Sequence, residues 1–245
     1  MSSSTGLGNQ AAFQNTLWSQ VVAAGKLDLP NSQQALEELC RLYWLPIYVF
    51  LRRWGHDREE ARDLTQGFFA YLLEENVLAK ADPDRGRFRS FLLGVLKNYV
   101  SNQQNWAKAI KRGGKDKIVS IDEETAEGLY ANEPVTDTTP DKIFERRWAL
   151  AVLEEAMKRL RAEYAQASMQ SLFETLQPWL TGDQESGFAA LAEQLGKSES
   201  NARVLVHRLR DRFRKLIRAV IADTVTNVDD IETEFAHLQA ALRIR

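Results

Sequence analysis

The sequence predicts an all-α chain built as two helical domains joined by an acidic linker, with a C-terminal amphipathic helix. Three observations predict it. Apolar residues return at three- and four-residue steps through most of the chain. Capping and turn residues fall between these stretches. Two basic blocks flank an acidic connector. The first block holds Lys97, Lys108, Lys111, Arg112, Lys115 and Lys117 against Asp116. The second holds Lys197, Arg203, Arg208, Arg210, Arg212, Arg214, Lys215 and Arg218 against Glu199 and Asp211. Between them lie Asp122, Glu123, Glu124, Glu127, Glu133, Asp137, Asp141 and Glu145 against Lys142. A net charge of −2 hides this segregation. Two basic modules point to nucleic acid more than the sum does.

Bulk composition bounds the class. The 245 residues give room for one large domain or two small ones. Hydrophobic content of 44% with 27% charged residues is ordinary for a soluble protein. No apolar run approaches the roughly 20 residues that span a bilayer, and M-S-S-S-T-G-L-G-N-Q is no secretory leader. Cys40, the single cysteine, lies in an apolar helical pattern and reads as a buried small hydrophobe. A cytoplasmic location is expected.

Residues 1–12 read as a disordered polar tail. Phe13 to Ala24 has a helical pattern in Phe13, Leu17 and Val21. Leu29-Pro30-Asn31-Ser32 is a turn and cap, followed by a helix from Gln33 to Trp54 with a wide apolar stripe and Pro46 as a kink site. Gly55 ends it. Asp57 to Leu73 is a capped amphipathic helix. Asp57 is its cap and Glu60 the reciprocal partner of a capping box, while Ala61, Leu64, Phe68 and Leu72 form its buried face. Asp63 and Gln66 share another face, with small Gly67 and Ala70 a turn on.

Ala81 to Arg87 is a loop. Its Asp82, Asp84 and Gly86 do not make a calcium site, because an EF-hand needs Gly and Glu where Arg87 and Leu93 stand. Phe88 to about Ala109 is a third helix. Residues 113–140 carry Gly, Pro, Thr and acids and read as linker. Helices resume at Asp141, with core faces at Ile143, Phe144, Trp148, Val152, Leu153, Met157 and Leu160, then at Leu172, Phe173, Leu176, Trp179 and Leu180. Phe188 to Leu216 reads helix, Gly196 turn, Ser198 cap, helix. That is a helix-turn-helix, whose second helix enters the DNA major groove. Val228 to Leu242 is amphipathic and is expected to cap the second module. Folding over the DNA surface as an inhibitor and binding a partner are the other roles open to it.

Three of these stretches carry a resemblance. D-R-E-E-A-R-D-L-T-Q-G-F-F, from Asp57, resembles the region-two signature of bacterial RNA polymerase sigma factors of the extracytoplasmic-function type. F-R-S-F-L, from Phe88, with Lys97-Asn98 resembles the same family's minus-ten segment, and the helix-turn-helix resembles its region four. The likeness covers roughly residues 33–112 and 141–218. Gly67, Phe91 and Gly94 depart from the family pattern, where a helix former, a Trp and a basic residue are usual. Val204 and Leu205 replace polar and basic residues. The segment 161–187 is longer than is typical, and short members lack the C-terminal helix.

The resemblance implies a sigma factor that binds core RNA polymerase through the beta-prime clamp and beta flap, directs it to promoter DNA and helps open it. An anti-sigma factor is a further partner class. It implies a region-two domain over 13–112, a linker over 113–140, a region-four domain over 141–225 and an extension over 226–245. It places polymerase binding on Asp63, Gln66, Arg62 and Glu59. Minus-ten DNA falls to Arg85, Arg87, Arg89, Phe91, Lys97, Asn98 and Gln103. Minus-thirty-five DNA falls to Ser200, Asn201, Arg203, His207, Arg208 and Arg212. These are the residue types such readout needs: aromatic faces to stack bases, amides for base edges, cations for phosphates. No catalytic residue, metal or cofactor is expected. No Gly-rich phosphate loop, Ser-x-x-Lys or His-x-x-x-His occurs. The alternative is a helix-turn-helix regulator without sigma activity, which would not need Asp63-Leu64-Thr65-Gln66.

Overall fold

A computed structural model describes residues 32–75, 77, 87–106, 123–131, 139–181, 187–225 and 229–243. The expected helix over Phe13–Ala24, the turn over 81–86 with Arg85, and the bases from Lys108 to Lys117 lie outside the described residues. So do the side chains of residues 32–39, 73, 74, 103–106, which include Gln103, and 123–125.

Among the described residues there are nine α-helices and no strand. They are α1 (Ser32–Arg53), α2 (Arg58–Glu74), α3 (Phe88–Trp106), α4 (Glu123–Ala131), α5 (Pro140–Gln166), α6 (Gln170–Leu176), α7 (Phe188–Leu195), α8 (Glu199–Ala222) and α9 (Asp230–Leu242). A 3-10 turn over Gln177–Leu180 follows α6. None of these helices is long and apolar enough to cross a membrane. The chain divides into two compact units. One comprises Met1–Ala151 with Ile221–Arg245, and the other Val152–Val220. Both divisions fall inside helices, α5 and α8.

In the first unit α1 is the central helix. Ile47, Tyr48, Val49, Phe50 and Leu51 are each 0–1% exposed, so this stretch is buried all round and not on one stripe only. Its aromatics are core. Tyr43 meets Phe88 edge-on at 5.3 Å, Trp44 stacks on Tyr48 at 5.3 Å, and Phe50 meets Phe144 edge-on at 6.4 Å. Burial pushes the Tyr43 phenol well above its usual range. Gly55, at φ +108°, ends α1 in a conformation that favours glycine. The α2 helix packs on α1 and α3.

The expected linker contains α4, which packs on α1. Ala126 is fully buried. Glu127 accepts from Arg52 Nη2 at 2.7 Å and Nε at 3.2 Å, and from the Tyr48 hydroxyl at 2.5 Å. The Arg52 guanidinium lies over the Tyr130 ring at 4.6 Å. These contacts fix nine residues that composition alone reads as connector. The C-terminal helix α9 falls in the first unit.

The second unit is cored by Val152, Ala156, Leu160, Phe173, Leu176, Trp179, Leu191, Ala192, Ala202, Val206, Leu209, Leu216 and Ile217. Gly196 takes a left-handed conformation at φ +61° and closes α7 through its N–H. Ser198 Oγ accepts from Asn201 N at 3.3 Å, the cap expected at the start of α8. Arg210 Nε donates to the Trp179 carbonyl at 2.8 Å, tying α8 to the end of the 3-10 turn.

Candidate protein and nucleic-acid interfaces

The α2 surface is acidic and open. Asp57 Oδ1 accepts from Glu60 N at 2.9 Å and so caps the helix. The reciprocal half of the capping box does not form. Glu60 instead reaches His56 Nδ1 at 3.1 Å. Ala61, Phe68 and Leu72 are buried as the periodicity predicts, whereas Leu64 is half-exposed and Thr65 is fully buried, its hydroxyl donating to the Ala61 carbonyl at 2.7 Å. Asp57, Glu59, Glu60, Asp63, Leu64 and Tyr99 line an open groove of about 510 Å³. Asp63 is 70% exposed, and its carboxylate pairs with Arg62 at 3.2 Å. Gln66 is half-buried one turn on and outside that lining. Of the residues expected on this face, Glu59, Arg62 and Asp63 are brought together at the surface and Gln66 stands at its edge.

Gly67 is explained by packing. A Cβ there would stand 2.5 Å from the Tyr99 hydroxyl, so α3 approaches α2 across the missing side chain. The tyrosine that closes in on Gly67 also floors the acidic groove.

The start of α3 differs from what its sequence suggests. Arg89 is 4% exposed, an interior cation. Its Nε donates to Glu145 at 2.6 Å, its guanidinium lies 4.3 Å over the Trp148 ring, and it forms an ion pair with Glu234 of α9. That last contact is ionic, without hydrogen-bond alignment at Arg89 Nη1. Burial pulls the Arg89 guanidinium below its usual range, and Glu145 opposes the shift. Arg87 pairs with Glu234 at 2.7 Å and lies 3.5 Å from His237 Nε2. Burial, then Arg87 and Arg89, hold the His237 imidazole below its usual value. Phe91 is half-buried against Phe88, with ring centroids 6.4 Å apart. Lys97 pairs with Asp141, both about half-exposed. Asn98 is exposed. Of the residues expected to meet minus-ten DNA, Asn98 and part of Lys97 are at the surface in this arrangement, and Arg89 is not.

In the second unit, α8 presents Ser200, Asn201, Arg203, Val204, His207 and Arg208 to the exterior within its first ten residues. The helical period places Ser200, Val204, His207 and Arg208 on one strip, flanked by Asn201 and Arg203. The Arg203 guanidinium lies 4.3 Å over the Phe188 ring of α7 and 3.7 Å from Glu199, which orients it along the turn. Arg212 is held differently. It donates to Glu163 through Nε at 2.8 Å and a second nitrogen, and this bidentate pair holds the Glu163 carboxyl below its ordinary value. Arg212 is therefore a cross-brace to α5. Val204, 44% exposed, is an apolar group on the outward strip that its hydropathy does not flag.

Among the described residues no cluster of three or more His, Cys, Asp or Glu is arranged to hold a metal ion. No protein-family model, curated protein or solved structure matches the chain.

Proposed function

We propose that the chain is a sigma-type transcription initiation factor: one unit docks on core RNA polymerase and the other reads promoter DNA. The observation that carries this is the α7–Gly196–α8 helix-turn-helix, whose second helix begins with an outward strip of polar, cationic and apolar side chains. Asn suits the adenine edge, Arg the guanine edge, and a valine methyl the thymine methyl. The α2 face supports the other half. Four carboxylates bordering one groove repel a DNA backbone, so this surface suits a basic protein partner and not the promoter.

Selection of bound sequences from a random duplex pool, with and without bacterial core polymerase, tests the reading. It predicts an enriched motif that depends on polymerase. Arg208→Ala should relax the preference at one position by roughly 1–3 kcal/mol. A motif enriched equally without polymerase supports the stand-alone regulator instead, and no enrichment in either arm removes the DNA-reading role.

A further inference from the structure

We propose that Arg87 and Arg89 form a binding site for a DNA phosphate, and that Glu234 of the chain's own C-terminal helix occupies it as an internal stand-in. The identity of the ligand rests on the DNA-binding reading above. The site itself rests on geometry within one unit.

Arg87 immediately precedes α3 and Arg89 lies in its first turn. Two guanidinium groups brought together favour an anion between them. The anion present is the Glu234 carboxylate, with Arg87 at 2.7 Å on one oxygen and Arg89 on the other. Glu234 is an acid at the middle of a helix, yet its side chain is only 3% exposed. A buried ion pair is a poor source of stability compared with an apolar residue of similar size, so packing alone does not account for a glutamate at this position. With Glu234 withdrawn, the one acid among the described residues that still pairs with these arginines is Glu145, on Arg89, and the site gains a positive charge.

The helix that brings the carboxylate is short. Its fully buried residues besides Glu234 are Leu238 and Ala241, with Ile231, Phe235 and Leu242 half-buried beside them. At 13 residues it is of marginal stability in isolation. His237, a helical turn on, faces Arg87 and completes the polar surround of the carboxylate. A phosphate offers the same pair of oxygens to the two guanidinium groups that the carboxylate does.

The test uses full-length protein and a fluorescein-labelled oligo(dT), which carries phosphates but no duplex for the helix-turn-helix to read. Glu234→Gln keeps the shape and removes the charge. It should bind oligo(dT) roughly tenfold more tightly than wild type at low salt, the scale of a charge-assisted phosphate contact, with a steeper salt dependence. Arg87→Gln should abolish that gain in the Glu234→Gln background. A folded Glu234→Gln protein with wild-type affinity, or a gain that survives Arg87→Gln, overturns the proposal. Should Glu234→Gln lose its fold by circular dichroism, hydrogen exchange on wild type decides. Amides of residues 230–242 lose protection on saturation with oligo(dT) if Glu234 is displaced, and unchanged protection refutes it. Failure to bind polymerase or duplex DNA would sink the sigma reading without altering this outcome.

Discussion

Gly67 stands on α2 beneath the Tyr99 hydroxyl, 2.5 Å from where a Cβ would be. Ala in place of Gly in a helix interior normally gains about 1 kcal/mol. Here the contact should cancel that gain. Gly67→Ala is expected to leave stability unchanged or lower it, and to stabilise by up to about 1 kcal/mol once Tyr99→Phe has removed the hydroxyl. Denaturant unfolding of the four proteins measures the coupling, and equal effects in both backgrounds would dismiss the contact. Glu127 makes a second residue-scale prediction. Arg52 holds its carboxyl below the ordinary value of 4.5. As pH falls, the unfolded chain therefore takes up this proton before the folded one. The stabilisation is complete above about 4.5 and is lost as pH drops through the depressed folded value. Wild type should lose more thermal stability between pH 5 and 3 than Glu127→Gln does, and parallel melting curves would contradict it.

At the scale of elements, the turn of the helix-turn-helix depends on Gly196. Its left-handed φ of +61° costs an L side chain roughly 1–2 kcal/mol, so Gly196→Ala should lower the unfolding free energy by about that amount. An unchanged unfolding midpoint would mean that the turn is built otherwise. Local elements were readable because helix signals are local. Ala61, Phe68 and Leu72 recur at the helical period, and Asp57, Gly55, Gly196 and Ser198 mark ends by their own chemistry. The α4 helix was not readable. It has little apolar surface of its own and is fixed by Arg52 and Tyr48, residues 75 and 79 positions away. Arg89 failed for the same reason in reverse. An arginine at a helix start reads as a surface cation, and only the fold brings Glu145, Trp148 and Glu234 around it.

For the whole molecule, the proposed function divides labour between two faces. On that reading the acidic groove on α2 takes a basic protein surface and the outward strip of α8 takes a polyanion. The helical class was legible from periodicity. The two compact units were not legible with their limits, because α5 and α8 each run uninterrupted across a division and no turn residue marks it. The central claim is that the α2 face docks on core RNA polymerase. Co-elution of the full-length chain with bacterial core enzyme on a sizing column at moderate salt tests it most directly, beside Asp63→Ala/Gln66→Ala. These positions are exposed and half-buried, away from the fully buried core of α2, so the variant should remain folded. The account predicts that wild type travels with the polymerase and the folded variant does not. Wild type eluting alone, or both proteins co-eluting equally, would contradict it.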